Sequence, residues 1–111
     1  MYTRCARRFP FVAAAEVQGA DGVRPAQVHD LSITGASLEM ADPFAKGASV
    51  RVKVRTKRDF FQADATVMNC RDAGIGVLFH AVSPPFLIIL QRWLSEAQEA
   101  APKTASEKIH T

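Results

Sequence analysis

Residues 50–55 alternate strictly between valine and a cation. After Ser49 the pattern runs Val50, Arg51, Val52, Lys53, Val54 and Arg55. A period of two places successive side chains on opposite faces of a β-strand, so valine lines one face and the cations line the other. A strand with one apolar and one wet face favours an antiparallel sheet or barrel built around a core.

Further short apolar or alternating runs, separated by turn residues, surround this strand. The chain of 111 residues is long enough to bury one core and too short for two. The runs predict six strands in a mainly β fold: Phe9–Gln18, Val23–His29, Ala36–Met40, Ser49–Thr56, Phe60–Arg71 and Gly74–His80. We expect them to form an antiparallel β-barrel in which consecutive strands are neighbours, as in a meander.

The pattern changes at Ser83. Ser83-Pro84-Pro85 supplies an N-cap hydroxyl followed by proline in the first turn, where a missing N–H costs nothing. Apolar side chains then recur at helical spacing: Phe86, Leu87, Leu90, Trp93, Leu94 and Ala97. The sequence therefore predicts a C-terminal α-helix packed on the barrel as a lid, in preference to a dimer seam. Residues 99–111 have no apolar period and are predicted to form a disordered tail.

Composition excludes several classes of protein. Cys5 and Cys70 lie far apart and the three histidines are isolated, so neither a metal site nor a disulfide scaffold is expected. No catalytic triad or glycine-rich phosphate loop is present, which argues against an enzyme. No apolar run approaches the ~20 residues that cross a bilayer, and residues 1–8 do not begin a secretion signal. We therefore expect a cytoplasmic protein without a membrane span.

Two motifs carry candidate binding chemistry. The first places three arginines within five residues, with Arg-x-x-x-Arg spacing: Arg4-Cys5-Ala6-Arg7-Arg8. The second lies between two predicted strands and reads Asp-x-Ser-x-x-Gly: Asp30-Leu31-Ser32-Ile33-Thr34-Gly35. Arg51 and Arg55 share the first spacing but belong to the alternating strand, so spacing alone means little.

In this order, the two motifs resemble the signature of the PilZ domain, the bacterial receptor module for cyclic di-GMP. Arg8-Phe9-Pro10-Phe11 is similar to the start of the family's first strand, and Gly74–Phe79 to its late Gly-x-Gly-Val-x-Phe strand. The resemblance implies a PilZ-like split barrel over residues 9–98, preceded by a flexible arginine arm at 1–8. It also implies that cyclic di-GMP is the ligand, with no other cofactor, and that its site residues are Arg4, Arg7, Arg8, Asp30, Ser32 and Gly35.

The chemistry of these residues fits such a ligand. An arginine guanidinium pairs bidentately with a phosphate or with guanine O6 and N7 and also stacks on a purine. Asp30 can accept the N–H groups of the guanine Watson–Crick edge, and Ser32 adds a hydroxyl. Gly35 permits a close approach of the backbone to the ligand, or a positive φ. Thr3 stands where many family members have another arginine, which leaves open whether one ligand molecule or two are bound.

Two alternatives to a cyclic di-GMP receptor stay open. One is a small-barrel nucleic-acid-binding protein that uses the cationic strand face with Phe60 and Phe61 as stacking groups. The net charge of +3 permits an anionic partner but does not demand nucleic acid. The other is a PilZ-like adaptor that contacts proteins without binding a ligand. If the protein is a cyclic di-GMP receptor, we expect ordering of the arginine arm at 1–8 to relay the signal to a protein effector that the sequence does not identify.

Overall fold

The computed structural model describes residues 8–71 and 73–100. The elements are β1 (Phe9–Gly19), β2 (Gly22–Leu31), β3 (Gly35–Glu39), β4 (Ser49–Arg55), β5 (Phe60–Arg71), β6 (Gly74–His80) and α1 (Pro84–Ala100). All neighbouring strands are antiparallel, and the sheet closes into a barrel with the order β1-β2-β3-β6-β5-β4. The predicted six-stranded antiparallel barrel with a C-terminal helix is confirmed.

The strand order differs from the predicted meander. β3 pairs with β6, whereas β4 pairs with β1 and β5, so the consecutive strands β3 and β4 are not neighbours. The connection between them buries Phe44, whose ring lies against Gly19 and 3.9 Å from the Arg24 guanidinium. Alternation within strands carries no information about this crossing, because it indicates only which face of each strand is buried.

The alternation in β4 separates core from solvent as expected. Val50, Val52 and Val54 are buried, while Arg51 and Arg55 are exposed. The buried core draws on every strand and on α1: Val17, Val28, Leu31, Leu38, Val52, Val54, Phe61, Val67, Val77, Leu90 and Trp93. Since each of these side chains removes apolar surface from water, the barrel interior and the inner face of α1 form a single core.

One face of α1 packs against the closed barrel and covers part of its core, as predicted for a helical lid. The Leu87 N–H donates to the carbonyl of Ser83 at 2.8 Å, so the helix begins where the Ser-Pro-Pro segment predicted. The Trp93 ring stacks on Phe11 of β1, with 5.0 Å between centroids, and its Nε1 donates to Asp59 Oδ2 at 3.1 Å. Asp59 lies in the β4–β5 turn, so this turn and the start of β1 both contact the helix.

Asp59 makes the attachment of α1 sensitive to pH. Hydrogen bonds from Arg92 and then Trp93 lower the pKa of the Asp59 carboxyl below its ordinary value. A folded-state pKa below the unfolded one means that Asp59 stabilises the fold at neutral pH. This contribution disappears as the pH falls from the unfolded value of about 3.9 through the lower folded value.

The Asp59→Asn variant is therefore expected to melt at a lower temperature than the wild type at pH 7, with the difference shrinking in acid. Thermal denaturation followed by circular dichroism between neutral pH and about pH 3 tests this. The control is Asp64→Asn, which removes an exposed carboxylate that pairs with Arg51 at 3.0 Å and should change stability little. A pH-independent difference between Asp59→Asn and the wild type would contradict the assignment.

No helix in the described part of the chain is long and apolar enough to cross a membrane. Of the predicted flexible arm, only Arg8 belongs to the described residues; Arg4 and Arg7 lie outside them. α1 reaches Ala100, slightly past the predicted end of the folded unit at residue 98, and residues 101–111 of the predicted tail lie outside the described range.

Candidate functional site

Asp30 belongs to a strand and not to the connecting segment in which the sequence placed it. It lies near the end of β2, opposite Pro10 of β1 and Ser37 of β3. Strand pairing on both sides fixes the backbone of Asp30, while 31% of its side chain stays exposed to solvent. The carboxylate is therefore held in place and accessible.

Arg8 is paired with this carboxylate. Its Nη1 donates to Asp30 Oδ1 at 2.8 Å and lies 3.5 Å from the hydroxyl of Ser37. The next residue, Phe9, is buried and pairs with Leu31, which anchors the backbone beside Arg8. The last residue of the predicted arm is thus attached to the barrel, and one residue from each motif meets here.

Ser32 supports the turn between β2 and β3. Its side chain is 1% exposed, and its Oγ accepts the N–H groups of Gly35 at 3.0 Å and Thr34 at 3.2 Å. The backbone N–H of Ser32 donates to the carbonyl of Gly35 at 2.8 Å, which closes the same turn. The hydroxyl predicted to contact a ligand is thus turned into the protein, where it holds the chain that follows Asp30.

Gly35 is required by the sheet. It is buried, and it is not among the glycines with positive φ, which in the described chain are Gly22 and Gly47. A Cβ at position 35 would overlap the carbonyl oxygen of Val77 in the neighbouring strand β6. A positive φ, one of the two roles expected for Gly35, is therefore wrong. The close approach that the structure shows is between β3 and β6.

A groove of about 260 Å³ opens beside Asp30 and runs over β2, β3, β5 and β6. Its lining residues are His29, Asp30, Ser37, Leu38, Glu39, Asn69, Ala73, Gly74 and Ile75. β-bulges interrupt the register on two sides, where His29 in β2 and Met68 in β5 are the extra residues. Such bulges place polar groups along the rim without breaking the barrel.

Sequence reasoning missed most of this groove. Adjacent residues of a regular strand point to opposite faces, but His29 and Asp30 both line the groove because the bulge breaks the alternation of β2. Ser37 and Asn69 belong to no recognisable motif. Ser37 could have been found only from the register of β2 with β3, which places it opposite Asp30.

Charged groups of both signs lie at the groove. Asp30 and Glu39 supply two carboxylates to its lining, and the Arg8 guanidinium lies 2.8 Å from Asp30. Across residues 8–71 and 73–100, no cluster of three or more His, Cys, Asp or Glu side chains could hold a metal ion. The arrangement offers a guanidinium donor beside a carboxylate acceptor, which suits a ligand with both acceptor and donor edges.

The family model of the PilZ domain matches residues 2–96. This chain belongs to the PilZ domain family. The match covers both sequence motifs, all six strands and most of α1. Among curated proteins, no sequence matches this PilZ chain significantly.

Solved structures share this fold at low sequence identity. The PilZ domain of Escherichia coli YcgR with c-di-GMP is 17% identical, with a TM-score of 0.77 over 95% of this chain and 98% of that one. The Bacillus subtilis inhibitor of motility MotI/DgrA is 15% identical, with a TM-score of 0.76 over 91% of this chain and 54% of its own. The PilZ domain of CeSA, from a cellulose-synthesizing bacterium, is 19% identical, with a TM-score of 0.65 over 78% and 92%.

Proposed function

We propose that this PilZ domain binds cyclic di-GMP in the groove beside Asp30 and acts as a cytoplasmic receptor without catalysing a reaction. The observation that carries the proposal is the Arg8–Asp30 pair, with 2.8 Å between Nη1 and Oδ1, at the open edge of that groove. The fold shared with the c-di-GMP-bound PilZ domain of YcgR supports the choice of ligand.

Both members of the pair match a chemical feature of the ligand. The Asp30 carboxylate accepts the N–H groups on the Watson–Crick edge of guanine, and the Arg8 guanidinium donates to O6 and N7 or to a phosphodiester. Lysine would supply only a point charge in place of the planar fork. The two phosphodiester charges call for further cations, for which we propose Arg4 and Arg7.

Arg8 and Asp30 form an ion pair with each other, so a ligand that contacts both groups has to replace this ion pair. The Arg8 side chain is 49% exposed and the Asp30 side chain 31% exposed, which places the pair among solvent-accessible ion pairs. Such pairs contribute only about 0–1 kcal/mol, so separating this one opposes binding little. The pair therefore holds both groups near their binding positions at low cost.

The signal would then pass through the arginine arm. Arg8 fixes the chain at the edge of the groove, and binding of phosphates by Arg4 and Arg7 would draw residues 1–7 across the bound nucleotide. This creates a surface for a downstream protein effector without any change in the barrel. Two buried residues of the second motif, Ser32 and Gly35, would keep the β2–β3 turn in position beneath the ligand.

Calorimetric titration with cyclic di-GMP and cyclic di-AMP tests the proposal. The wild type should bind the guanine dinucleotide more tightly. The Asp30→Ala variant should lose about 10- to 150-fold of its affinity for cyclic di-GMP, because a carboxylate that accepts N–H groups of guanine is removed. Its affinity for the adenine dinucleotide should change less. The matched control is Asp64→Ala, which removes an exposed carboxylate on β5.

Three results would count against the proposal. Equal losses for both dinucleotides would mean that Asp30 only shapes the strand end. A folded wild type that binds neither dinucleotide would favour the adaptor function. Stronger binding of single-stranded DNA, measured as displacement of the dinucleotide, would favour nucleic-acid recognition.

A further inference from the structure

A second groove lies on the opposite side of the barrel from the proposed nucleotide site. In the closed strand order, β1 lies three positions from β6 and β4 three positions from β3, so the two strand pairs face away from each other. The second groove has a volume of about 250 Å³ over β1, β2, β4 and β5. Its lining residues are Ala14, Ala15, Glu16, Pro25, Ala26, Lys53, Arg55 and Phe60.

This second groove combines an apolar floor with a cationic wall. Alanine and proline side chains from β1 and β2 line one part, and the Phe60 ring lies 5.0 Å from the Arg55 guanidinium. Within the part of the chain that the structure describes, Lys53 and Arg55 have no ion-pair partner, whereas Arg51 pairs with Asp64. Lys57 follows in the turn and adds positive charge, whereas Arg58 pairs with Glu96 of α1 at 3.8 Å.

We propose that this groove binds an acidic segment of a protein partner that inserts an apolar side chain between its carboxylates. The apolar side chain would contact the alanines and Phe60, and the carboxylates would pair with Lys53 and Arg55. An interface with a small apolar centre and charged edges fits the observed lining. This partner surface is separate from the nucleotide groove and does not depend on the proposed function.

The distribution of acidic residues favours a protein over nucleic acid. Glu16 lines the groove and lies directly opposite Lys53 in the β1–β4 pairing, and Asp64 neutralises Arg51. A continuous row of phosphates would meet these carboxylates as well as the cations, whereas a peptide can place its carboxylates at Lys53 and Arg55 and an uncharged residue beside Glu16. Phe61, which the nucleic-acid alternative needs for stacking, is completely buried, so only Phe60 is available.

Fluorescence anisotropy with a labelled probe peptide tests the proposal. The probe is a short chain of glutamate and glycine with one central phenylalanine, and a second peptide has glycine in place of the phenylalanine. The wild type should bind the first peptide several-fold more tightly. Arg55→Glu and Lys53→Glu should each weaken binding about tenfold or more, since a charge-assisted contact becomes a repulsion. Phe60→Ala should remove the preference for the phenylalanine peptide.

The matched control is Lys46→Glu, which reverses an exposed cation on the β3–β4 connection. Its affinity for the peptide should stay within about twofold of the wild type, because solution salt screens distant charges over about 8 Å. Equal losses in Lys46→Glu and Arg55→Glu would overturn the proposal in favour of general charge attraction. Wild-type binding in Arg55→Glu, or oligothymidylate binding more tightly than the peptide, would also overturn it.

Each variant is also titrated with cyclic di-GMP. Unchanged nucleotide affinity shows that the variant is folded and that a loss of peptide binding belongs to the second groove. Conversely, peptide binding by a protein that ignores the nucleotide would leave this inference standing while the receptor function fails. The two proposals are therefore distinguished by the same set of variants.

Discussion

The Arg8→Ala variant is expected to bind cyclic di-GMP about 10 to 150 times more weakly than the wild type. The change removes a guanidinium that stands 2.8 Å from Asp30 at the edge of the groove and offers the planar fork that guanine or a phosphate requires. Stability should change by less than about 1 kcal/mol, because the broken ion pair is exposed. Isothermal calorimetry measures the affinity, and thermal melting measures the stability.

Two further variants show whether position and geometry matter more than charge. Arg8→Lys keeps the charge but loses the fork, so its affinity should fall between those of the wild type and Arg8→Ala. The double variant Arg51→Ala/Arg55→Ala removes the other Arg-x-x-x-Arg pair. This pair lies on β4, on the side of the barrel opposite the proposed nucleotide groove. The affinity of the double variant should stay within a few-fold of the wild type because of screening over about 8 Å. A loss as large as that of Arg8→Ala would show that the wrong arginine pair was chosen.

Local patterns predicted the strands because each face of a strand meets a different environment. The alternation in β4 and the start of β6 at Gly74 were both predicted from the sequence and agree with the structure. The order of the strands in the barrel was not predicted by these local patterns. The connection that crosses from β3 to β4 buries Phe44, whose contacts with Gly19 and Arg24 come from distant parts of the chain.

The same distinction applies to the candidate site. The motifs pointed to Arg8 and Asp30, and the structure brings these two together across 22 positions in sequence. It does not bring the hydroxyl of Ser32 to the groove, because this buried side chain satisfies the backbone of its own turn. A motif records which residues recur in a family, and it does not separate those that touch a ligand from those that hold the chain in place.

Long-range contacts were also beyond local patterns. Trp93 was predicted from its helical spacing to face the barrel, and it does. Its hydrogen bond to Asp59 joins residues 34 positions apart, and nothing near Asp59 in sequence indicates a buried indole as its partner. Periodicity specifies which side of an element is covered, whereas the identity of the covering group depends on tertiary packing.

A substitution at Gly35 distinguishes a role in the stability of the fold from a role in ligand binding. The Gly35→Ala variant is expected to lose about 3 kcal/mol or more of stability, because its Cβ would overlap the carbonyl oxygen of Val77 and force β3 away from β6. The three nearest atoms all belong to the β6 backbone at Val77 and Leu78, which leaves little room to relax. For a domain of this size, the loss corresponds to a fall in melting temperature of about 12 °C or more, which calorimetric or spectroscopic melting would detect.

Gly76→Ala provides the matched control within the same sheet. A Cβ at position 76 would meet the side-chain amide of Asn69 at 2.9 Å, and this terminal group can rotate away more easily than a strand carbonyl can move. Gly76→Ala should therefore cost less than half as much stability as Gly35→Ala. If Gly35→Ala instead melts like the wild type and loses only nucleotide affinity, the glycine of the second motif serves the ligand directly. Its explanation by β3–β6 packing would then be wrong.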